Sequence, residues 1–556
     1  MQKLGWDQLD IILVTGDSYI DSPLMGVAVI GKVLLNAGYR VGIISQPDVT
    51  NEAHITRLGE PRLFWGVTAG SVDSMVANRT ASGKRRKSDD YTPGGVNNRR
   101  PDRASIAYTN LIRRYYKDTV PIVLGGIEAS LRRIAHYDVW SDKIRRSILF
   151  DAKADFLLYG MAERSVVELA FRLKEKKSPL DIRGLCYVSQ SIPEGCIELP
   201  SFQETRESKH AFTHMFQLFY RNNDPVTASP IAQKQDTRYL VQNPPARYLS
   251  MRELDEIYAL DFHYDVHPHE RMAGTVRALD TIQFSISTHR GCYGECNFCS
   301  IAVHEGRTVR WRSKKSILDE VKKMTTHPDF KGVIHDVGGP TANMYGFECY
   351  LKTTKGCCVN KRCLFPEICS NLPISHKKQI ELLRELRRIN GVTKVVVASG
   401  IRYDMVLHDK KFGERYLRDV VHYHVSGQMK VAPEHSQHRV LAIMGKPDAH
   451  YLLKFKELFY RFTKQVQKEQ YLTYYLIAAH PGCTEDDMQK LRQFAIEHLG
   501  LVPEQVQLFT PTPSTFATLM YYTESDPFTG RPIFVEKNGM RREKQKTILT
   551  SKKKKL

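Results

Sequence analysis

The feature that most constrains the fold of this 556-residue chain is a repeated alternation of short apolar runs with helical periodicity. Between residues 10 and 160, apolar runs that end in glycine or polar turns alternate with helical patterns, of which 26–37 is one. A second alternating series begins at Thr281. Apolar runs separated by amphipathic helices predict buried parallel strands joined by helices. We therefore expect an α/β protein with two main domains.

The first series predicts a doubly wound, Rossmann-like domain over residues 1–200. The basic polar stretch 83–103 interrupts this series and is expected to be a surface loop. Residues 201–275 lack a clear pattern and are interpreted as an irregular connecting region. The predicted strands of the first domain are 10–17, 39–44, 63–68, 121–126 and 156–160.

The second series predicts a partial (β/α)6 barrel of parallel strands over residues 276–525, with a Cys-rich insertion at 345–372. Chemistry in such barrels lies at the C-terminal ends of the strands. After residue 526 the apolar periodicity fades, so residues 526–556 are predicted to form a basic, disordered tail. The predicted barrel strands are 281–287, 332–337, 393–399, 427–432, 471–478 and 504–510.

The net charge of +20, from 81 Lys and Arg against 61 Asp and Glu, attracts anionic partners such as RNA. A basic enzyme without an RNA partner has the same composition. No window holds about 18 uninterrupted apolar residues, so no transmembrane helix and no membrane partner are expected. The first residues lack the charged, apolar and small-residue order of a signal peptide, and a cytoplasmic location is expected.

The eleven cysteines are distributed very unevenly. Cys292, Cys296 and Cys299 lie within eight residues, and five more lie between Cys349 and Cys369. A disulfide framework is not expected in a reducing compartment. Clustered thiols in such a compartment are typical of metal sites.

The first group follows a predicted strand and has the spacing Cys-x3-Cys-x2-Cys. Three thiolates on a short loop can hold a cubane iron–sulfur cluster and leave one iron open to a small ligand. The alternative is a structural zinc knuckle. The spacing resembles that of the radical S-adenosylmethionine (SAM) superfamily, as does the aromatic Phe298 before the last cysteine. The resemblance implies a reduced [4Fe–4S] cluster that cleaves SAM to a 5′-deoxyadenosyl radical.

The resemblance also implies a set of SAM contacts at successive strand ends. Gly338 and Gly339 resemble the glycine motif whose backbone receives the SAM amino group, although Pro340 replaces the usual acidic residue. The polar strand end with Ser399 and Arg402 resembles the part that contacts the SAM ribose or carboxylate. Further polar contacts are implied for the next strand end, at Lys430 and Glu434. No residue is assigned a catalytic role.

The second cysteine group is a candidate second metal site. Four thiolates would complete either a closed zinc site or a fully ligated iron–sulfur cluster, and free thiols are the third alternative. Only one of two adjacent cysteines is expected to be a ligand. The candidate ligands are Cys349, Cys357, Cys358, Cys363 and Cys369.

From the N-terminus to about Asp526, the chain resembles the YgiQ family of radical SAM proteins. The match is carried by residues 16–23 and 124–133 together with both cysteine groups. The resemblance implies that the first domain is similar to cobalamin-binding domains, which commonly carry an Asp-x-His-x-x-Gly loop. Residues 17–22 contain no histidine, so cobalamin is not expected to bind. Their polar side chains either bind a polar group or cap the following helix: Asp17, Ser18, Asp21 and Ser22.

The leading hypothesis is a radical SAM enzyme that modifies a macromolecule, RNA or protein. One alternative is a radical SAM enzyme that acts on a small metabolite, and another is a non-catalytic iron–sulfur or zinc protein. The resemblance further implies an electron donor such as flavodoxin or ferredoxin as a partner.

Overall fold

The computed structural model describes residues 1–504 and 506–551, and it divides into two compact units. The first unit comprises Met1–Leu249, Glu256–Gln283 and Val303–Glu305. The second comprises Ser250–Asp255, Phe284–Ala302 and the described residues from Gly306 onward. The main division of the chain thus falls at residues 283–284, and residues 201–249 belong to the first unit.

The first unit is built on a nine-stranded sheet. Ile11–Thr15 is buried at all five positions and pairs in parallel with a strand on each side, so that Ile11 lies opposite both Val41 and Phe64. Continuous apolar runs form such strands because both faces of the sheet are covered. In spatial order the strands are Ile197–Leu199, Ile231–Gln235, Arg238–Gln242, Leu185–Ser189, Phe156–Leu158, Ile122–Leu124, Phe64–Thr68, Ile11–Thr15 and Val41–Ser45.

Helices connect these strands, and two small antiparallel pairs accompany them. The pairs are Ile20–Asp21 with Asp265–Val266, and His136–Asp138 with Lys143–Arg145. The helices of the first unit are Gly26–Asn36, Ser74–Asn78, Ala104–Tyr115, Gly126–Leu131, Ile148–Ala152, Glu163–Lys174, Phe202–Glu207, Lys209–Arg221, Pro268–Met272 and Leu279–Ile282.

Residues 201–275 are not the irregular region predicted from the sequence. They contain four helices, the short strand Asp265–Val266 and a β-hairpin, Ile231–Gln235 with Arg238–Gln242, which extends the main sheet. Gln233 and Gln235 in this hairpin are fully buried and accept hydrogen bonds from backbone N–H groups of Ala135 and Ser147. Buried amide side chains interrupt the apolar pattern, which is why the sequence did not predict these strands.

Residues 83–103 are exposed over 84–88, as expected of a surface loop, but the later part of the segment contains buried residues. The side chain of Arg100 has no exposed surface, and it forms ion pairs with Asp17 at 2.6 Å and with Asp89 at 3.2 Å. A buried guanidinium is tolerated because these two carboxylates compensate its charge. The segment is therefore anchored in the interior of the first unit.

In the second unit, parallel pairs join strands in chain order, as the predicted partial barrel requires. Ser285–Ser287 pairs with Asp336–Gly338, Val333–Ile334 pairs with Lys394–Val395, and Ile401 bridges to Val431. No ladder among the described residues joins the last strand to the first. The remaining strands are Gln428–Glu434, Tyr471–Ala478 and Gln507–Leu508 in one parallel sheet, and the antiparallel pair His289–Arg290 with Arg310–Trp311.

Amphipathic helices separate these strands. Ala449–Gln465, for example, buries Leu452, Phe455, Phe459 and Phe462 on one side. In the described part of the chain, no helix has both the length and the apolar character needed to cross a membrane. The other helices are Met251–Tyr258, Ile301–His304, Lys314–Thr325, Tyr350–Lys355, Lys377–Leu386, Tyr403–His408, Gly413–Tyr423, His438–Met444, Glu485–Phe494, Phe516–Thr523 and Gly539–Thr550.

The prediction of a disordered tail over 526–556 is wrong for residues 539–550. Residues Gly539–Thr550 form a helix in which Gln545 and Leu549 are fully buried. The Gln545 side chain accepts a hydrogen bond from the N–H of Ala479 and donates one to the carbonyl of Cys483. The buried polar side chain of Gln545 interrupts the apolar pattern of this helix, so the sequence did not predict it. Gln505, in the predicted last strand, and residues 552–556 lie outside the described residues.

Candidate iron–sulfur and SAM site

The loop with the first three cysteines begins after the strand His289–Arg290. Its backbone is fixed by neighbouring elements, because the Asn297 N–H donates to the carbonyl of Met444 at 2.9 Å and the Cys299 N–H donates to Cys296 at 2.9 Å. The Asn297 side chain also donates to the carbonyl of Ile443 at 2.7 Å. The loop is therefore held by a hydrogen bond within itself and by hydrogen bonds to the end of the helix His438–Met444.

None of the three thiols of this loop forms a disulfide, and all three residues are partly buried. A Cβ atom at Gly294 would lie 3.3 Å from the sulfur of Cys292 and 3.6 Å from that of Cys296, so both sulfurs face the same point. The Gly294 N–H lies 3.3 Å from the Cys292 sulfur and donates to it. Thiols that share a pocket with a backbone donor are the ligand set that iron–sulfur clusters use, and these residues fit such a cluster.

Arg402 places a cation beside the thiols. Its Nη1 lies 3.9 Å from the Cys296 sulfur, and its Nε and Nη2 donate to Asp404 at 2.8 and 2.6 Å. Burial opposes the charged guanidinium, but Asp404 and the two thiols outweigh it and raise the pKa of Arg402. Burial and the neighbouring Cys296 raise the pKa of the Cys292 thiol, and Arg402 acts in the opposite direction. The cation thus favours the thiolate form that a metal requires.

The two predicted SAM-binding glycines lie beside other strand ends. A Cβ at Gly338 would lie 3.0 Å from the Ser399 Oγ, and one at Gly339 would lie 2.7 Å from two ring atoms of His289. Asp336 fixes Ser399, because it accepts the Ser399 N–H at 3.0 Å and also its hydroxyl. Burial lowers the pKa of His289 to about 4, so its imidazole is neutral at pH 7. Gly338 and Ser399, predicted separately, are therefore neighbours.

The remaining predicted SAM contacts differ in placement. Phe298 is partly buried and meets the ring of His480 edge to face at 6.1 Å. Glu434 is buried 3.7 Å from Lys446, and burial raises the pKa of this carboxyl although Lys446 opposes the shift. The Lys430 side chain is exposed, on a strand whose register shifts before Glu434. Lys430 thus lies apart from the buried polar groups.

The sequence analysis missed a buried network behind Arg402. Asn343 accepts the Arg402 N–H at 2.8 Å and donates to the Arg402 carbonyl at 3.0 Å. Its amide also contacts His376 Nε2 at 3.1 Å, and His376 Nδ1 lies 2.9 Å from Asp409. No sequence signal marks this network, because 59 residues separate Asn343 from Arg402.

The structure also buries most cysteines of the second group and packs three of them together. Cys349, Cys363 and Cys369 pack in one buried cluster together with Tyr293, and Cys357 is buried 3.5 Å from the Thr308 hydroxyl. Cys358 is exposed, so the structure separates it from its neighbour. Within residues 1–504 and 506–551, no three His, Cys, Asp or Glu side chains are arranged around a single metal ion.

In the polar loop 17–22 of the first unit, both aspartates form ion pairs within the protein. Asp17 pairs with Arg100, and Asp21 lies 3.0 Å from Lys32. The helix that follows begins at Gly26, and no side chain makes a capping hydrogen bond at its N-cap Met25, so the predicted capping role of the loop side chains is wrong.

Comparison with known proteins agrees with these observations. Residues 1–285 match the family described as Radical SAM N-terminal. A UPF0313 protein of Fusobacterium nucleatum is 53% identical over 100% of this chain and 98% of its own length. UPF0313 proteins of Thermotoga maritima and Methanocella arvoryzae are 50% and 47% identical, over 100% and 99% of this chain and 98% and 92% of their own lengths.

Solved structures of similar fold are radical SAM enzymes. TsrM from Kitasatospora setae, a radical SAM methyltransferase with cobalamin and a [4Fe–4S] cluster bound, has a TM-score of 0.52 and 14% identity, over 92% of this chain and 77% of its own. OxsB, a cobalamin-dependent SAM radical enzyme, has a TM-score of 0.50 and 13% identity, over 95% and 57%. These likenesses concern the fold. Because both neighbours carry cobalamin, they do not support the expectation that cobalamin is absent here, which stays a prediction.

The relatives span the whole chain, and the structural neighbours share its α/β architecture with a large, mostly parallel sheet. The loop with three thiols and an adjacent arginine lies in the second unit of this architecture. This chain belongs to the UPF0313 family of radical SAM proteins.

Proposed function

We propose that this protein is an enzyme that binds a [4Fe–4S] cluster through Cys292, Cys296 and Cys299 and cleaves SAM reductively. The observation that carries the proposal is the meeting of the Cys292 and Cys296 sulfurs at Gly294, with Arg402 alongside. When bound, the cluster supplies the electron that breaks SAM into methionine and a 5′-deoxyadenosyl radical.

The protein's own residues bind and orient the reactants. The three thiols leave one coordination position open for the amino acid part of SAM. Gly338 and Gly339 lack side chains where a ligand must approach the backbone closely. Ser399, held by Asp336, and Arg402, held by Asp404, offer polar groups fixed in advance, which lowers the cost of ordering them on binding.

The substrate that we favour is RNA. The net charge of +20 supports an anionic macromolecule, because basic proteins concentrate nucleic acid at their surface. A small metabolite is the second candidate, and one observation favours it: TsrM, of similar fold, was solved with tryptophan as its substrate. In either case a low-potential protein such as flavodoxin or ferredoxin is proposed as the electron donor.

SAM cleavage is tested with anaerobically reconstituted protein, a strong reductant and SAM, by measuring 5′-deoxyadenosine. We expect formation by the wild type and by Cys196→Ala, whose cysteine lies in the first unit, and none by Cys299→Ala. If the wild type contains a full cluster and forms no 5′-deoxyadenosine, the protein is a non-catalytic iron–sulfur protein.

The substrate class is tested by retention of RNA through a high-salt wash and by the effect of added RNA on 5′-deoxyadenosine formation. Stimulation by total RNA that ribonuclease abolishes supports an RNA substrate. Stimulation by a protein-free, RNA-free metabolite extract instead supports the second candidate.

A further inference from the structure

Lys352 is a buried cation inside the Cys-rich insertion. It lies on the helix Tyr350–Lys355, directly after Cys349, and only 1% of its surface is exposed. Its ammonium group donates to the carbonyl of Arg307 at 2.5 Å and lies 3.9 Å from a carboxylate oxygen of Glu295. It also lies 5.5 Å from the centre of the Tyr293 ring. A lysine this deeply buried is rare unless a negative charge compensates it.

Lys352 shares its carboxylate neighbour with a second buried cation. Glu295 is shared with Arg307, whose Nη1 lies 3.6 Å from the other carboxylate oxygen, and both side chains are less than 10% exposed. Two cations thus face one carboxylate in a buried place. Because burying a cation is costly, negative charge on the thiols beside Lys352 would stabilise it further.

Two thiols also lie near the ammonium. Cys357 and Cys363 lie next to Lys352 and interact with it electrostatically. Cys349, Cys363 and Cys369 are 5–8% exposed and pack around Tyr293, and the Cys369 N–H donates to the Cys363 carbonyl at 2.8 Å. Cys357 and Cys363 thus lie near the buried cation, and Cys349 and Cys369 pack in the same cluster as Cys363, whereas Cys358 is exposed.

We propose that Cys349, Cys357, Cys363 and Cys369 ligate a second iron–sulfur cluster and that Lys352 compensates its negative charge. Four thiolates ligate such clusters fully, and the resulting centre is anionic. The negative charge of the cluster then complements the two cations that share Glu295. Cys358 is excluded as a ligand.

The place of this group in the chain favours iron over zinc. Tyr293 and Glu295, which contact the second group, lie between Cys292 and Cys296 of the first loop. Two redox centres separated by so few side chains can exchange electrons, whereas zinc has no redox chemistry. The proposal does not depend on SAM cleavage, since metal content is measured without SAM.

The test uses the full-length protein with Cys292, Cys296 and Cys299 all changed to Ala, reconstituted anaerobically. We expect about four irons per chain and the Mössbauer spectrum of a cubane cluster. On this background Cys363→Ser should remove most of the iron, and the matched control Cys358→Ser should retain it. About one zinc per chain with no iron, or no metal at all, would overturn the proposal.

The role of Lys352 is tested by Lys352→Met and Lys352→Arg on the same background. Methionine matches the length of the buried stem and removes the charge, so we expect several-fold less iron, and arginine should restore most of it. Far-UV circular dichroism before reconstitution separates a lost fold from a lost cluster. Full iron in Lys352→Met would overturn the compensating role, and should that variant not fold, the comparison of Cys363→Ser with Cys358→Ser still decides the site.

Discussion

The Nη1 atom of Arg402 lies 3.9 Å from the sulfur of Cys296, and no more than 8% of the arginine is exposed. The guanidinium is fixed from its other side by Asp404 and from its backbone by Asn343. The cation beside the thiols is therefore held by protein groups on its side chain and on its backbone.

Replacing Arg402 by methionine should both destabilise the protein and weaken cluster binding. Asp404 would be left buried without a partner, which costs about 3–5 kcal/mol of unfolding free energy. Chemical denaturation and iron content of the reconstituted protein measure the two effects.

The double variant Arg402→Met, Asp404→Asn separates these effects. Removing the orphaned charge should recover much of the stability, while iron content stays low because the cation is still missing. Recovery of iron together with stability would contradict a direct role for the cation.

Gly339→Ala should abolish SAM binding or weaken it at least about tenfold, equivalent to about 1.4 kcal/mol. The new Cβ would lie 2.7 Å from the His289 ring and 2.9 Å from its carbonyl oxygen, so the strand end must shift. Isothermal titration of the reconstituted protein with SAM measures this. Gly400→Ala is the matched control, because no atom lies within 4 Å of a Cβ there, and unchanged affinity is expected. Equal affinities in both variants would exclude Gly339 from the SAM site.

Asp17→Asn should lower the free energy of unfolding by about 3–5 kcal/mol, because it leaves the buried Arg100 with only one carboxylate partner. The control is Asp7→Asn, which removes an ion pair with Arg40 from a side chain that is 76% exposed. Exposed pairs contribute less than about 1 kcal/mol, so this variant should be nearly neutral. Similar small losses in both variants would argue that Asp17 binds a ligand rather than stabilising the fold.

The protein should lose stability as the pH falls from about 6.5 to 4. Burial lowers the pKa of His424 to about 4, although its ring N–H donates to the carbonyl of Val395 at 2.8 Å. Because the unfolded state takes up the proton first, the stabilisation is complete above the unfolded pKa and is lost as the pH approaches 4. The same depression holds for His136, His289, His435 and His480.

His424→Asn keeps a donor for the Val395 carbonyl and removes one titrating group. The slope of unfolding free energy against pH between 6.5 and 4 should therefore fall by about 1.4 kcal/mol per pH unit. Chemical denaturation at several pH values measures the slope. An unchanged slope would show that His424 is protonated in the folded protein.

The features that could be predicted from the sequence are those that residues close together in the chain encode. The three thiols of the first loop lie within eight residues, and the strand Ile11–Thr15 is apolar throughout, so ligand spacing and burial could be read directly. The pairing of Arg402 with Asn343 was not predictable, since it joins residues far apart in the chain and neither belongs to a periodic pattern.

Buried polar side chains account for the elements that were missed. The hairpin with Gln233 and the helix with Gln545 both place an amide where the apolar pattern requires a hydrocarbon. Each amide is satisfied by backbone groups of a distant segment, so its burial becomes evident only in three dimensions.

The bridge that Gln545 makes between Ala479 and Cys483 has a consequence for biosynthesis. The loop that it completes cannot close until 62 further residues have left the ribosome, a delay of roughly 3–12 s at bacterial rates of translation. His480 in that loop packs on Phe298, which lies between Cys296 and Cys299 in the sequence. The thiols of the first loop are therefore synthesised before the fold around them is complete. We therefore expect cluster insertion into this protein to follow completion of the chain.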